Sequence, residues 1–283
     1  MSKSISISVI IPNYNRSDLL KLAIESALNQ TFAPLEILVC DDGSTDDSKD
    51  IVSTIDSTIV KWIDCGKNGR PAIPRNMGIR KAIGNWIAFL DNDDIWLPNK
   101  LENQVKCILK ENNLTAVCSN AFRIRGSNFN ERYFKEISNQ IFTFNHFIYS
   151  NPVICSSVLI SKNVLNQTSL FPEHSAFKAI EDYSLWMKIS TTFKFYYISE
   201  PLLYYRDEII TDSIRKENKT IEEIRKIIFP DLNNWIKTNN VKLNFKNRID
   251  VNKQLCLIKN NFKLSIMNTI RFKILYKINS IFS

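Results

Sequence analysis

Three carboxylates follow directly after an apolar run, and this junction could hold a metal ion. The run is 86–90, and Asp91, Asp93 and Asp94 come next, around Asn92. An unpaired carboxylate is costly to bury, so a strand at 86–90 must end near Asp91 and place the acids at its carboxyl end. Ligands bind at that end of the strands in an open α/β sheet. A divalent cation with oxygen ligands, bridging to a phosphate-bearing substrate, would offset the repulsion between the acids.

A second group of acids follows an earlier apolar run. Asp41 and Asp42 come directly after 35–40. One interpretation is a turn and a helix cap, although Thr45 or Asp46 can already serve as the cap. The other is a ligand contact, because a carboxylate at a strand end can accept a hydrogen bond from the imino N–H of uracil or from a ribose hydroxyl.

Aromatic and basic residues near these strand ends could complete a nucleotide site. Tyr14 lies in the segment 12–16 after the first apolar run, either in an ordinary turn or with its ring against a nucleobase. Arg70 and Arg75 flank the third predicted helix. They form either a solvated basic face or a fixed guanidinium group near a diphosphate.

A further pair of acids, Glu181 and Asp182, opens a predicted helix at 180–189. Acids in the first turn of a helix suit its dipole, so a purely structural role is one interpretation. In the other, Asp182 is a general base at the mouth of the site.

The elements that must position these residues alternate between strand and helix over the first 120 residues. This alternation predicts an α/β fold with a mostly parallel, doubly wound, Rossmann-like sheet. After about residue 115 the pattern changes to short apolar runs, which predicts an α+β half that completes the same domain. The predicted strands are 5–11, 35–40, 59–63 and 86–90. Four helices are predicted between and after them: one that Ser17 caps, one from Thr45 or Asp46 to about 54, one at 74–83 and one at 98–111.

Composition fits a globular protein and excludes several classes. The chain has 283 residues, of which 44% are hydrophobic and 23% charged. We expect no signal peptide and no membrane-spanning helix, because no apolar run is long enough for either. The six cysteines and two histidines show no metal-ligand spacing, which favours a reducing, cytoplasmic location over a zinc site or a disulfide framework.

The positive charge is concentrated at the C-terminus. The net charge is +8, and 242–283 hold nine Lys or Arg against one acid, Asp250. Apolar residues recur every three or four positions over 255–281, which predicts a basic amphipathic helix within a helical extension, 213–283. Such a helix either contacts the inner face of the cell membrane through 245–283 or packs on the body with its lysines in water. We expect no nucleic-acid partner, because the body is neutral and no nucleic-acid motif appears.

Taken together, the motifs resemble those of the family 2 inverting glycosyltransferases with the GT-A fold, of the bacterial polysaccharide or lipopolysaccharide type. The resemblance covers roughly 5–212. It implies a GT-A domain at 1–212, with a nucleotide-binding half at about 1–120 and an acceptor half at about 121–212. The matching segments are VIIPNYNR at 9–16, DDGSTD at 41–46, RNMG at 75–78, FLDNDD at 89–94 and EDYSLW at 181–186.

The resemblance also implies a role for each matching residue. Asp182 is the expected catalytic base, and Asp93, together with Asp91, is expected to bind Mn²⁺ or Mg²⁺. Glu181 and Trp186 are expected on the acceptor side. The implied partners are a nucleotide-sugar donor, most often a UDP-sugar, and a glycan or polyprenyl-diphosphate-linked acceptor. The residues expected to bind the nucleotide sugar are Pro12, Tyr14, Arg16, Asp41, Asp42, Asn68, Arg75, Asp91 and Asn92.

One departure and two alternatives remain at this point. Related bacterial enzymes often carry a His soon after a final Tyr-Arg pair, whereas here Tyr205 and Arg206 are followed by two acids. A sugar-1-phosphate nucleotidyltransferase would need a Gly-rich loop after the first strand, and the residues 13–15 contain no glycine. The other alternative is a non-catalytic nucleotide-sugar-binding protein. Asp182→Asn separates it from an enzyme, whose turnover should collapse while UDP binding persists.

Overall fold

A computed structural model describes residues 4–111, 113–126, 128–207 and 219–259 of the protein. Strands and helices alternate up to residue 110, as the sequence predicts. The strands β1 to β10 are Ile7–Asn13, Glu36–Asp41, Val60–Asp64, Trp86–Phe89, Ile95–Trp96, Ala116–Arg125, Asn128–Arg132, Gln140–Phe142, Leu159–Ser161 and Phe195–Arg206. The helices α1 to α9 are Ser17–Leu28, Ser48–Ser53, Ala72–Lys81, Lys100–Lys110, Phe144–Phe147, Lys162–Gln167, Glu181–Ser190, Ile221–Thr238 and Phe245–Lys259.

One sheet contains all ten strands of these described parts. Its order is β3-β2-β1-β4-β9-β6-β10-β5, with β7 beside β6 and β8 beside β10. The first four strands of this order are parallel, and so are β6 and β10. β9 runs antiparallel between the two parallel groups. The α/β class and the parallel central sheet are confirmed, and the order 3-2-1-4 brings the carboxyl ends of β2, β1 and β4 together.

Strand β1 is buried on both faces and separates two hydrophobic layers. Ile10 packs in the layer that includes α3 and α7, whereas Val9 and Ile11 pack in the layer that includes α1. This division follows from the two-residue period of a strand, and it explains why β1 is apolar throughout. The buried face of α1 consists of Leu20, Ala23, Ile24 and Ala27.

The start of α1 differs from the sequence prediction. Helix α1 begins at Ser17, but the Ser17 side chain does not cap it. The carboxylate of Asp46, in a neighbouring loop, accepts a hydrogen bond from the backbone N–H of Ser17 at 3.0 Å. Asp46 also accepts one from the N–H of Ser48 at 3.1 Å, at the start of α2. The prediction of a Ser17 cap is wrong, because the helix begins one residue earlier than such a cap requires: Arg16 occupies the N-cap position, and its carbonyl accepts from the N–H of Leu20.

The second half of the chain joins two short apolar runs into a single strand. Most of the run 193–198 and all of the run 202–205 lie in β10, which is 12 residues long and begins at Phe195. Its pairing with β6 shifts register on either side of Pro201. Proline cannot donate a backbone hydrogen bond, so a strand that contains one is interrupted in its pairing. The polar residues around this interruption made one strand resemble two in the sequence.

The C-terminal helices pack on the main body. Ile228, Phe229 and Leu232 of α8 and Val251 of α9 join the same hydrophobic layer as α7. Lys188 of α7, only 7% exposed, forms an ion pair with Asp231 of α8 at 2.8 Å. The packing interpretation of the tail therefore holds for 221–259, whereas most of the predicted amphipathic helix lies at 260–283, outside the described residues. Among the helices of the described parts, none is both long and apolar enough to cross a membrane.

Candidate active site

Polar side chains converge where β1, β2 and β4 end. Asn13, the last residue of β1, pairs in register with Asp41, the last residue of β2. The side-chain NH₂ group of Asn13 donates to Asp41 Oδ1 at 3.0 Å. The Oδ1 of Asn13 accepts from the side-chain amide of Asn92 at 2.7 Å. These contacts form a continuous polar chain across the three strand ends. Asn13, which the sequence analysis did not assign to the site, is its central member.

Asp41 organises the turn that follows β2. Its Oδ2 accepts hydrogen bonds from the backbone N–H groups of Gly43 at 3.0 Å and Ser44 at 2.8 Å. Gly43 has φ +81°, and a Cβ there would lie 2.9 Å from Lys67, so a glycine is required. Asp41 is 4% exposed. The turn interpretation of this acid is therefore confirmed, while a direct contact with uracil stays a prediction.

Asp42 holds the loop that lies over this edge of the sheet. Its two carboxylate oxygens accept from the backbone N–H groups of Asn68 at 2.8 Å and Arg70 at 3.1 Å. The Asn68 amide is used inside its own loop, where it donates to the carbonyl groups of Cys65 and Gly66. Asp42 and Asn68 are thus brought together, as positions that shape the loop.

Three residues in the last part of β1 and just after it were expected to line the nucleotide pocket, and they have different surroundings. Pro12 is buried within β1, where it pairs with Cys40. The side chain of Tyr14 is 44% exposed, so its ring is available to stack on a ligand. Arg16 immediately precedes α1, and its carbonyl accepts from the N–H of Leu20 at 2.8 Å.

Arg75 joins the end of β4 to the start of α7. Its guanidinium group donates to Asp91 Oδ1 at 2.5 Å and to Glu181 Oε1 at 2.7 Å, from α3 to the end of β4 and to the start of α7. The Arg75 side chain is 5% exposed, and the ring of Phe171 lies 5.4 Å from its guanidinium carbon. Burial alone would lower the pKa of Arg75, but its acidic neighbours outweigh burial and raise the pKa well above the ordinary value.

Asp182 lies beside this ion-pair cluster, in the first turn of α7. Its Oδ1 accepts from the backbone N–H of Tyr183 at 2.7 Å, and its Oδ2 accepts from the side-chain amide of Asn151 at 3.0 Å. Burial, reinforced by the charge of Glu181, raises the pKa of Asp182 to about 7, although Arg75 acts in the opposite direction. A carboxyl group with this pKa can both take up and release a proton near neutral pH.

The two residues expected on the acceptor side are both buried. Trp186 has no exposed surface and packs against Phe89, Phe171 and Phe195. The prediction that Trp186 faces the acceptor is wrong, because a side chain enclosed in the core cannot touch a ligand. Glu181 is 5% exposed and is turned toward Arg75.

Asp91 and Asp93 could contribute to a metal site but cannot complete one. Asp91 is held by Arg75 and, through its backbone N–H, by Ser156 Oγ at 3.0 Å, and its side chain is still 24% exposed. Among the described residues, no three His, Cys, Asp or Glu side chains are grouped closely enough to hold an ion. Carboxylate oxygens suit Mg²⁺ or Mn²⁺, so the two acids fit such an ion with water and diphosphate oxygens as its other ligands.

Asp94, whose role the sequence left open, has a structural contact. It is 1% exposed, and its Oδ1 accepts from the backbone N–H of Arg206 at 2.9 Å, at the end of β10. Burial raises its pKa well above the ordinary value, and the charges of Asp93 and Asp91 add to the effect. The acid therefore fastens the β4–β5 turn to the end of β10.

Sequence reasoning missed the loop between α5 and β9. Asn151 contacts Asp182, and Ser156 contacts Asp91, so this loop supports both the expected base and the expected metal ligand. Nothing in the spacing of the loop residues predicts these contacts. An Asn-Pro pair normally indicates only a turn.

A match to a family model decides to which protein family the chain belongs. The model described as "Glycosyl transferase family 2" matches residues 8–167, which is more than half of the chain and includes the strand ends described above. The chain belongs to glycosyl transferase family 2. The resemblance seen in the motifs is thereby confirmed.

Curated proteins similar to this chain include two enzymes of Escherichia coli. "UDP-Glc:alpha-D-GlcNAc-diphosphoundecaprenol beta-1,3-glucosyltransferase WfgD" is 36% identical over 183 residues, 65% of this chain and 69% of that protein. WfaP, which carries the same activity in its name, is 34% identical over 210 residues, with the same shares. An uncharacterized glycosyltransferase of Rickettsia bellii is 37% identical over 188 residues, and there the match takes up only 26% of the relative.

Solved structures share the fold. S. aureus TarS in complex with UDP-GlcNAc has a TM-score of 0.67 to this family 2 chain at 21% identity, over 95% of this chain and 76% of that one. The mannosyltransferase PcManGT from Pyrobaculum calidifontis, in complex with GDP-Man and Mn²⁺, has a TM-score of 0.57 at 16% identity, over 98% and 81%. The GT-A α/β fold with C-terminal helices is confirmed.

Proposed function

We propose that this protein transfers a sugar from a UDP-sugar to a hydroxyl group of a polyprenyl-diphosphate-linked glycan, with inversion at the sugar, in the synthesis of a bacterial surface polysaccharide. The names of WfgD and WfaP support this donor and acceptor class. The complexes of TarS with UDP and with UDP-GlcNAc support a uridine nucleotide on this fold.

The observation that carries the proposal is the position of Asp182. Its carboxyl group has a pKa of about 7 and lies next to the Asp91–Arg75–Glu181 cluster, which connects the nucleotide half to the acceptor half. A base in this position can act on a hydroxyl group that approaches from the acceptor half. Positioned carboxylates typically contribute on the order of 10²–10⁴-fold to such a step.

The proposed reaction is a single displacement at the anomeric carbon of the sugar. Asp182 takes the proton of the acceptor hydroxyl group as the oxygen attacks the anomeric carbon. The bond from that carbon to the diphosphate breaks on the opposite face, and UDP leaves with the electron pair. Attack opposite the leaving group inverts the anomeric configuration. Arg75 holds Asp91 in place during the step.

A divalent cation is proposed as the cofactor, on Asp91 and Asp93. When bound, it would offset the charge that develops on the departing diphosphate. Both acids lie at the end of β4, beside the polar chain of Asn92, Asn13 and Asp41. We also propose that the protein works at the inner face of the cell membrane, where a polyprenyl-linked acceptor would be found.

The test is a transfer assay with a labelled UDP-sugar and a GlcNAc-diphosphate-lipid acceptor. We expect a lipid-linked disaccharide with Mn²⁺ or Mg²⁺, little product with EDTA, and a loss of turnover with retained UDP binding in Asp182→Asn. Ser175→Ala, on the surface before α7, is the matched control and should transfer normally. If the wild-type protein binds UDP-sugars but makes no product with any of them, the binding-protein alternative replaces this proposal. Release of pyrophosphate from UTP and a sugar 1-phosphate would instead support the nucleotidyltransferase.

A further inference from the structure

Asp182 is held at both of its carboxylate oxygens, and one of the two contacts comes from outside its own helix. Oδ1 is bound by the backbone N–H of Tyr183, the next residue of α7. Oδ2 is bound at 3.0 Å by the amide of Asn151, in the loop between α5 and β9. Two donors on the two oxygens fix the plane of the carboxylate, which a single donor would leave free to rotate.

The orientation of the Asn151 amide is itself determined. The oxygen and the nitrogen of an Asn side-chain amide have nearly the same shape and are told apart by their hydrogen bonds, so the orientation of the amide must be assigned from its partners. Here the Asn151 Oδ1 accepts from the backbone N–H of Val153 at 3.2 Å. A backbone N–H can only donate, so the NH₂ end must face Asp182. Asn151 therefore donates to the carboxylate, which is the acceptor that an ionised base provides.

The loop that carries Asn151 is anchored at both ends. Val153 and Ile154 are 4% and 6% exposed, and Val153 packs in the same hydrophobic layer as α7. On the other side, the hydroxyl group of Tyr183 donates to the carbonyl of Phe147, the last residue of α5, at 2.5 Å. Pro152 restricts the backbone of the preceding Asn151. The amide is thus presented to Asp182 by a fixed backbone.

The charges around Asp182 make a neutral donor useful there. Besides burial, the charges of Glu181 on α7 and Asp91 after β4 raise the pKa of Asp182, and the charge of Arg75 on α3 lowers it. The Cys155 thiol in the loop also interacts electrostatically with Asp182. Arg75 is already shared between Asp91 and Glu181. A donor without charge can orient the carboxylate without forming an ion pair that would block its proton uptake.

We propose that Asn151 is a positioning residue for Asp182: it fixes the carboxylate so that a free lone pair faces the attacking hydroxyl group of the acceptor. This inference rests on the proposed role of Asp182 in sugar transfer. Asn151 itself takes no proton and forms no bond to the sugar. Its effect is on the orientation of the base and, because it donates to the ionised form, on the pH at which the base loses its proton.

Three substitutions separate this role from simple support of the loop. Asn151→Ser keeps an oxygen for the Val153 N–H but is too short to reach Asp182. Asn151→Asp also keeps that contact and replaces the donor by a second acceptor. Asn151→Ala removes both contacts. The matched control is Asn139→Ala, since the Asn139 side chain likewise accepts from a backbone N–H, that of Ser199, but lies outside the site.

In the transfer assay we expect Asn151→Ser to lower kcat about tenfold or more, with little change in the KM for the donor. The acidic limb of its pH profile should move to higher pH by about 1 unit, and that of Asn151→Asp should move further. Asn139→Ala should match the wild type in both. A fall in kcat with an unmoved pH limb in both Asn151→Ser and Asn151→Asp would assign a merely structural role and overturn the proposal.

A measurement that needs no turnover distinguishes this proposal from the function on which it rests. The carboxyl signal of Asp182 can be followed by NMR in protein labelled with ¹³C-aspartate and identified by its absence in Asp182→Asn. We expect its titration to move to higher pH in Asn151→Ser, whether or not a donor and acceptor have been found. An unchanged titration overturns the role of Asn151, whereas a wild-type protein without transfer activity overturns the proposed function alone.

Discussion

At the residue scale, Arg75 connects the end of β4 to the start of α7. It lies on α3, it is fully enclosed, and its two ends bind Asp91 and Glu181. A buried ion pair adds little stability compared with an apolar substitute for the whole group, but the loss of one partner leaves charges uncompensated. Arg75 thus places one cation between two carboxylates next to Asp182.

Arg75→Met is expected to lower the free energy of unfolding by about 3–5 kcal/mol, because Glu181 then remains buried without a partner. Arg75→Lys should be only partly better, since one ammonium group cannot form the two contacts of a planar guanidinium group. Urea denaturation followed by circular dichroism measures both. Arg80→Met, on the exposed part of the same helix, should change the value by no more than about 0.5 kcal/mol. Equal effects at the two positions would contradict the bridging role.

The raised pKa of Asp182 predicts a pH profile. The base must be ionised to accept a proton, and its pKa is about 7. We expect kcat/KM to fall about tenfold per pH unit below that value and to level off above it. Asp182→Asn should lower the rate by about 10²–10⁴-fold and lose this limb. A profile that stays flat between about pH 5 and 7 would assign the base elsewhere.

The same pKa predicts a cost in stability. The pKa of Asp182 in the folded state lies above the ordinary value for an unfolded chain, so ionisation favours the unfolded state. The destabilisation is absent below the unfolded pKa, grows as the pH rises toward 7, and is complete above it. Asp182→Asn should therefore melt at a temperature no lower than the wild type at pH 8. A clear drop at pH 8 would show that the carboxylate stabilises the fold.

Sequence reasoning at the residue scale succeeded where a side chain's position follows from its place along a strand. Asp41 and Asp91 had to lie at or beyond strand ends, because the middle of a buried strand offers a carboxylate neither water nor a polar partner. It failed where the partner comes from a distant part of the chain. Asn151 is 31 residues from Asp182, and Arg75 is 106 residues from Glu181. No local rule of spacing predicts such contacts. The burial of Trp186 likewise depends on Phe89 and Phe171, which come from earlier parts of the chain.

At the element scale, helix α3 packs unusually close to the sheet. A Cβ on Gly78 would lie 2.7 Å from Cγ2 of Ile10 and 2.9 Å from Sγ of Cys40. The absence of a side chain at Gly78 brings the helix against β1 and β2, and so places Arg75 deep enough to reach Asp91. The sequence predicted the helix, but not how close it approaches the sheet, which is a property of packing.

Gly78→Ala tests this close approach. In an exposed helix the change would raise stability by about 1 kcal/mol, because alanine is the better helix former. Here the added methyl group must displace buried side chains, at a cost of about 1–3 kcal/mol. We expect a net loss in thermal unfolding, together with weaker transfer activity as Arg75 moves outward. A gain in stability would mean that the layer between α3 and β1 is loosely packed.

At the scale of the whole molecule, the C-terminal helices α8 and α9 share the core of the GT-A domain. Phe229 on α8 is 1% exposed and lies in the hydrophobic layer of α7, whereas Ile221 on the same helix is 66% exposed. The sequence boundary at 212 therefore separates two patterns of residues, but the hydrophobic core continues across it. Whether 1–212 and 213–283 are separate domains stays a prediction.

Two substitutions on α8 make the shared core measurable. Phe229→Ala should lower the free energy of unfolding by about 3–5 kcal/mol, because it leaves a cavity in a layer that includes α7. Ile221→Ala, about two turns earlier on the same helix and exposed to water, should change it by no more than about 0.5 kcal/mol. Chemical denaturation with a single transition is the measurement. A separate early transition in Phe229→Ala would indicate that α8 unfolds independently of the body.

The distribution of charge over the chain leads to the last prediction. Residues 260–283 contain four Lys or Arg and no acid, and they follow Lys259, the last described residue. A chain that ends at Lys259 keeps Val251 and the other buried residues of α8 and α9, so it should fold with nearly the melting temperature of the full chain.

Basic residues near an anionic membrane contribute about 1 kcal/mol each. Removal of the four should thus weaken binding to vesicles that contain phosphatidylglycerol by up to about 10³-fold, in a salt-dependent manner. Vesicles of phosphatidylcholine alone provide the control for charge. Equal binding of the full and shortened chains to the anionic vesicles would remove 260–283 from any membrane contact and leave the body of the protein to find its lipid-linked acceptor.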